Sequence, residues 1–464
     1  MQPHSASSHV LSKTFSGAKN PYEAQHQDRP LNRETHLRFG SHFRPAFGGK
    51  FVGLGYNDAR RYLGKIFWTC GVPNNVKGPA PPPVIVKLNV HSPKFYFICT
   101  VMASSLCCIN SEMVFIVHPL GRKYNSVKDM SPIINFVNQY DFSSSKLRGL
   151  TLHGNSYAST SILELVRILI EKGKSFLENI RYVDCSDMFT GRLKEDVPKS
   201  LQAIGSLLGH CPGIECLNLS DNAFGPAGAN AIAPFLEKLS LTSFLINNNG
   251  LGQLGGSIIA SSLKSMSTLS IFSIGRNRLE NDGAIAIAEA IKSGFSSSLR
   301  QFSIFQNGIT KNGVLALCDA ISTCQCLEIL DFQDNTFTIE SNFGENATLE
   351  ADFSKLVLLG LQYNGICDSE LQLLIRLVVQ MPHLQSLQLN GNSFDPEGPQ
   401  CTALREAIQR LSQGDVLDSL SDMDSDVESI EQESESEEDI SSASEAEDVE
   451  TEELTEILEK THVA

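Results

Sequence analysis

From about residue 150 onward, one short line of alternating apolar and polar positions returns again and again, each time closing on Asn. LTLHGNSY (Leu150 to Tyr157) comes back as LNLSDNAF (Leu217 to Phe224), FLINNNGL (Phe244 to Leu251) and FSIGRNRL (Phe272 to Leu279). It returns as FSIFQNGI (Phe302 to Ile309), LDFQDNTF (Leu330 to Phe337), LGLQYNGI (Leu359 to Ile366) and LQLNGNSF (Leu387 to Phe394). A period of two predicts a short strand with one face in the core, here through pairs such as Leu217 and Leu219. The shared Asn falls at 155, 222, 249, 277, 307, 335, 364 and 392, and the spacings from 222 onward run 27, 28, 30, 28, 29 and 28. The double-length gap between Asn155 and Asn222 holds one more unit, YVDCSDMF (Tyr182 to Phe189), in which Met188 stands where the Asn should be.

After each strand the apolar spacing changes to that of a helix: Ile232, Phe235, Leu236 and Leu239 in one unit, Ile258, Ile259 and Leu263 in the next. No such unit can bury its own apolar face, so units must stack on one another. A fixed period of about 28 residues is the mark of a leucine-rich repeat. The chain therefore predicts an α/β leucine-rich-repeat solenoid over about residues 145–412, a ribonuclease-inhibitor-like horseshoe with a parallel sheet inside and helices outside. The ladder Asn should turn inward and satisfy backbone groups that the turn leaves unpaired. IESNFGENATLEADFSK, between Asn335 and Asn364, is polar and poorly periodic, and predicts a weak or irregular helix.

The ends differ from the middle. Residues 1–110 show no repeat and no period, and GPAPPP (Gly78 to Pro83) reads as a turn or linker, so this head is expected to be a poorly ordered extension. Phe95 to Val117 is apolar enough to raise a membrane span, but Asn110 and Glu112 interrupt it, which favours strands or irregular chain. A capped repeat domain over 111–412 and a disordered acidic tail over 413–464 complete the division. The net charge of −16 belongs to that tail, where from Asp415 onward 20 Asp and Glu face Lys460 alone. Such a segment cannot bury enough surface to fold. Ending the chain at Gly414 is accordingly expected to leave the fold intact. The remaining chain is close to neutral, which argues against nucleic acid as a partner. The 12 Cys form no CxxC pair and read as reduced, buried thiols, and no secretory signal opens the chain, pointing to the cytoplasm.

No phosphate-cradling loop, HExxH or GxSxG motif is present, so no enzyme site, cofactor or metal is expected. The informative positions precede the ladder Asn: Asp187, Asp221, Asn248, Arg276, Gln306, Asp334, Tyr363 and Gly391. This rim is either merely solvated or a surface that reads a protein partner; its mixture of charges, amides and an aromatic suits the second. In INNNG the structural role falls to Asn249, which leaves Asn248 to project outward. SDMFTGRLKEDVP (Ser186 to Pro198) adds Arg192 and Lys194, either as ordinary loop charges or as two cations offered to the partner.

Five of these stretches resemble the Ran GTPase-activating proteins in that family's order: CSDMFTGRLKEDVP, LSDNAFGPAGA (Leu219 to Ala229), NNNGLG (Asn247 to Gly252), GRNRLENDGA (Gly275 to Ala284) and FQDNTFT (Phe332 to Thr338). GRKYNSVKDM (Gly121 to Met130) is loosely similar to the family's N-terminal cap. The similarity covers residue 112 to the end, while residues 1–110 have no counterpart and about one repeat is missing between Thr338 and Leu356. With no large C-terminal domain, the chain resembles the shorter, fungal-type form. The resemblance implies an activator of GTP hydrolysis on Ran in its GTP form, serving nucleocytoplasmic transport from the cytoplasm or nuclear periphery. It implies a mechanism without an inserted arginine finger, in which Asn248 positions Ran's own glutamine and Arg192 binds and orients the partner. It implies that Lys194, Asn222, Arg276 and Arg278 share the partner-binding rim with Asp221, Gln306 and Asp334. The tail would then either steer encounter with Ran or a Ran-binding protein or simply solubilise the chain. The competing readings are a non-catalytic repeat scaffold or inhibitor, and a degenerate member of the family whose missing unit has abolished activity.

Overall fold

The computed structural model describes residues 84–87, 113–117, 120–143, 146–336, 352–411, 416–421 and 423. Every repeat line forms a short strand, and the strands stack in sequence order. The strands are β1 Val84–Lys87, β2 Met113–Ile116, β3 Lys123–Tyr124, β4 Leu147–Thr151, β5 Ser156–Tyr157, β6 Tyr182–Asp184 and β7 Cys216–Asn218. They continue as β8 Ser243–Leu245, β9 Ile271–Ser273, β10 Gln301–Ser303, β11 Ile329–Asp331, β12 Leu358–Gly360 and β13 Ser386–Gln388. One sheet takes eleven of them in the order β1-β2-β4-β6-β7-β8-β9-β10-β11-β12-β13, parallel throughout except for the antiparallel β1–β2 pair. Val84–Lys87 lies inside the head expected to lack order, and extends the sheet by its first strand.

The apolar alternation works as the pattern requires. Leu217 and Leu219, Phe244 and Ile246, Phe272 and Ile274, Phe302 and Ile304 are all buried. Successive Phe rings stack along the core, Phe244 on Phe272 at 6.1 Å and Phe272 on Phe302 at 6.0 Å between centroids. Each ring therefore buries its face against the neighbouring repeat, which is why no single unit can hold its strand alone. The helices α1 Ser131–Gln139, α2 Ser159–Lys172, α3 Lys174–Asn179, α4 Val197–Leu208 and α5 Gly225–Leu236 return the chain. So do α6 Gly252–Leu263, α7 Glu280–Ala290, α8 Lys311–Ser322, α9 Asp368–Val378 and α10 Pro399–Leu411. Ile232, Leu236, Ile259 and Leu263 are buried, whereas Phe235, Leu239 and Ile258 are only partly so and pack against the core's outer edge. Phe235 lies so closely on Gly205 of α4 that an added Cβ would collide with its ring. Among the described residues no helix is long and apolar enough to cross a membrane.

One expectation lies outside the described residues, and one boundary needs correction. The weak helix expected between Asn335 and Asn364 falls mostly on residues 337–351, outside the described residues. The repeat domain does not end at residue 412. Val416 and Leu417 are buried, and Leu417 bridges Leu387 in parallel, with the Leu387 N–H donating to Val416 O at 2.8 Å and the Asp418 N–H to Leu387 O at 3.0 Å. The first residues assigned to the tail thus cover the otherwise open edge of β13. Acidic composition hides this, because two apolar residues suffice to pair one edge.

Candidate functional site

The ladder Asn residues are buried at every expected position, with exposures of 2, 4, 0, 0, 1, 9, 2 and 0 % from Asn155 to Asn392. From Asn222 they form one chain of bonds. The Asn222 N–H donates to Asn249 Oδ1 at 3.0 Å, Asn249 to Asn277 at 2.9 Å, Asn277 to Asn307 at 2.8 Å and Asn307 to Asn335 at 3.0 Å. Asn335 donates to Asn364 at 3.2 Å and Asn364 to Asn392 at 2.9 Å. Met188 joins through its backbone alone, its N–H donating to Asn222 Oδ1 at 2.8 Å. Asn222, expected among the partner-binding residues, does not belong there. It is buried, and its amide donates to Cys185 O and Leu219 O at 2.8 Å each.

Turning each Asn inward forces the preceding residue outward. Asp187, Asp221, Asn248, Arg276, Gln306, Asp334 and Tyr363 have φ of 51, 63, 55, 58, 52, 54 and 54°, all in the left-handed region. Only the terminal units use glycine there, Gly154 and Gly391. Left-handed backbone costs an ordinary residue about 1–2 kcal/mol, less for Asn and Asp. The rim expected from the sequence is therefore a row of side chains displayed at a backbone cost.

Asn248 is exposed beside the buried Asn249. Its Nδ2 donates to Asp221 Oδ1 at 2.8 Å, one strand away. That bond fixes which end of the amide faces outward, and leaves Oδ1 to accept a hydrogen bond from a group approaching the rim.

Arg192 is placed differently from Lys194. Its Nε donates to Ser156 Oγ at 2.8 Å, Nη1 to Asn125 Oδ1 at 2.8 Å, and Nη2 to Ser156 O at 2.7 Å and Tyr124 O at 3.4 Å. Partial burial lowers its affinity for the proton, offset by the charges of Asp196 and Asp129. The guanidinium thus ties the 186–198 loop to the small β3–β5 sheet of the cap, where Tyr124 and Tyr157 stack at 5.1 Å. Burial pushes the Tyr124 hydroxyl up to about 12. Leu193 (68 % exposed) and Lys194 stand out from the loop that Arg192 holds. Sequence reasoning misses Tyr124, Asn125 and Ser156 as the anchors; only the cap-like stretch around Tyr124 hints at a contact.

Further along the rim, Arg278, Glu280, Gln306, Asp334, Thr336 and Tyr363 line an open groove of about 570 Å³. Gln306, Asp334 and Arg278 are exposed and Arg276 is half-buried. Among the described residues no group of three or more His, Cys, Asp or Glu could hold a metal ion.

Comparison with known proteins agrees with this geometry. A leucine-rich-repeat family model matches residues 210–233 and 380–400. Ran GTPase-activating protein 1 of Xenopus laevis is 34 % identical over 184 residues, 37 % of this chain and 30 % of that one. Ran GTPase-activating protein 1 of Saccharomyces cerevisiae is 28 % identical over 305 residues, 56 % of this chain and 75 % of that one. Ran GTPase-activating protein 2 of Caenorhabditis elegans is 36 % identical over 188 residues, 37 % of this chain and 18 % of that one. The chain is similar to Ran GTPase-activating proteins of frog, yeast and worm. It spans less than a third of the frog and worm members of the family and three quarters of the yeast member. As an α/β leucine-rich-repeat solenoid with this similarity, the chain offers the strand-end rim, with Asn248 and the Arg192 loop on it, as the site to explain.

Proposed function

We propose that this chain activates GTP hydrolysis on the small GTPase Ran in its GTP form, acting in the cytoplasm in support of nucleocytoplasmic transport. The hydrolytic site belongs to the GTPase, and the chain contributes positioning. Hydrolysis by Ras-like switches is limited by orienting the attacking water and stabilising charge. The observation that carries the reading is Asn248, exposed on the rim with its Nδ2 held by Asp221. An outward Oδ1 can accept an N–H of Ran's catalytic glutamine amide and hold that side chain against the water. Fixing one mobile side chain in this way removes orientation entropy from the reacting state. Arg192 acts through the loop it tethers, and Lys194, at the loop's exposed tip, offers the charge. The acidic segment after Met423 lies outside the described residues; its role in this reading is to speed encounter with a basic surface of Ran or of a Ran-binding protein, an effect that salt weakens.

Single-turnover GTP hydrolysis on Ran tests the proposal. Addition of the chain should accelerate it, and Asn248→Ala should lower the rate at saturating chain by about 10²-fold. No acceleration at micromolar chain would reject the function. An unchanged saturating rate for Asn248→Ala would reject the role of Asn248 alone.

A further inference from the structure

Arg278 stands where other repeats keep their smallest residues. In five units the position just after the ladder Asn is also left-handed: Ala223, Gly250, Arg278, Gly308 and Gly365 have φ of 49, 62, 55, 66 and 71°. Three of these units meet the demand with glycine and one with alanine, the least bulky choices. Arg278 places a long side chain there, and Arg276 places a second one two residues earlier, also left-handed at φ 58°. Among the described residues neither guanidinium has a hydrogen-bond or ion-pair partner. The nearest acid in sequence, Glu280, is engaged by Gln253 Nε2 instead. The fold thus carries the cost of two strained arginines and makes no internal use of them.

Their surroundings define what they would bind. Adjacent parallel strands lie about 4.8 Å apart. Asp221 after β7 and Asp334 after β11 therefore flank the arginine pair after β9 by about 10 Å on either side. The rim reads acid, cation pair, acid, with the neutral amides of Asn248 and Gln306 between. Arg278 also opens onto the groove that continues to Tyr363.

We propose that Arg276 and Arg278 form a two-guanidinium clamp for a carboxylate on the protein partner, on a partner surface that reads cation, carboxylate, cation at the same spacing. A planar fork suits carboxylates in two-bond geometry, which a lysine cannot supply. The flanking acids reject a partner strip of the opposite order, so the clamp sets which face of the partner is read. This inference rests on the Ran reading above, and deepens it by assigning recognition to residues apart from Asn248.

The test is binding of the full chain to Ran loaded with a non-hydrolysable GTP analogue, measured across a salt series. Arg276→Gln with Arg278→Gln should weaken affinity by about 100-fold and flatten its salt dependence. The corresponding double change to Lys should restore the salt dependence but only part of the affinity. Arg278→Gly should weaken binding by about 10-fold while raising Tm by about 2–4 °C, because glycine relieves the left-handed backbone. Wild-type binding with an unaffected double Gln variant would overturn the clamp and leave the Ran reading standing. Full rescue by Lys would overturn the two-bond geometry. A lower Tm for Arg278→Gly would show that Arg278 serves the fold and overturn the premise. A wild-type chain that does not bind Ran would overturn both readings together.

Discussion

Two adjacent asparagines should fail in opposite ways. Asn249 Nδ2 donates to Leu219 O, Ile246 O and Asn247 O at 3.1 Å each, and its Oδ1 accepts the Asn222 N–H at 3.0 Å. The carbonyls would not be orphaned by Asn249→Ala, since Asn222 Nδ2 still reaches Leu219 O, Asn277 Nδ2 still reaches Ile246 O, and the Asp221 N–H still reaches Asn247 O. The Asn222 N–H has no such reserve, and would be left buried and unpaired. One buried unpaired donor costs about 1–3 kcal/mol, and three lost buried bonds add roughly another 1 kcal/mol, giving about 2–4 kcal/mol in total. Asn248→Ala removes one exposed bond to Asp221 and puts alanine in a left-handed position, a cost of about 1 kcal/mol. Urea unfolding followed by circular dichroism separates the two, provided the m-value is unchanged so that the midpoint reports stability. Hydrolysis assays should give the reverse order, Asn248→Ala losing the activity and Asn249→Ala keeping it wherever the protein remains folded. Equal destabilisation by the two variants, or a loss below about 1 kcal/mol for Asn249→Ala, would refute the division of labour.

Four further outcomes follow from the geometry. Asp221→Ala should lower the saturating rate of hydrolysis by about 10-fold, because the Asn248 amide loses the bond that orients it, while Asp221→Asn retains an acceptor and most of the rate; equal rates for the two variants would contradict this. Ending the chain at Gly414 should destabilise it by about 3 kcal/mol in urea, whereas ending it after Met423 should not, since only the first uncovers Val416 and Leu417. Gly391→Ala should cost about 2 kcal/mol by the same measurement, since φ is +73° and the new Cβ would collide with the Tyr363 ring. Burial raises the thiols of Cys185 and Cys211, Cys211 to about 12, so both should resist thiol reagents in the folded protein and react on denaturation, while the part-exposed Cys326 and Cys367 react before these two.

The periodic part of the fold is legible because each repeat states the same physical demand, a strand of period two closed by an inward Asn. Met188 illustrates why a missing Asn does not erase a unit: its backbone N–H reaches Asn222 Oδ1 as the others reach theirs. The rim is legible as a row of positions, but side-chain direction within it is not. Asn222 is misread from sequence because the ladder residue and the displayed residue are adjacent, and burial separates them only once the turn exists. The Arg192 contacts are hidden by separation in sequence, with Asn125 lying 67 residues away. Arg278 is the opposite case. Glycine at 250, 308 and 365 already marks its position as left-handed, and the repeats set side by side carry the anomaly in their letters alone.

The ladder of asparagines also has a direction. From Asn222 to Asn364, each Asn N–H is satisfied by the side chain of the next repeat toward the C-terminus. A chain leaving the ribosome N-terminus first therefore presents each of these rim loops with its donor still unpaired until one more whole repeat has been made. The loop bearing Asn248 can settle only when Asn277 has emerged to receive the Asn249 N–H. During synthesis the display surface is thus always one repeat behind the growing end, and the last loops are secured only when Asn392 and the Val416–Asp418 segment that pairs with β13 have appeared.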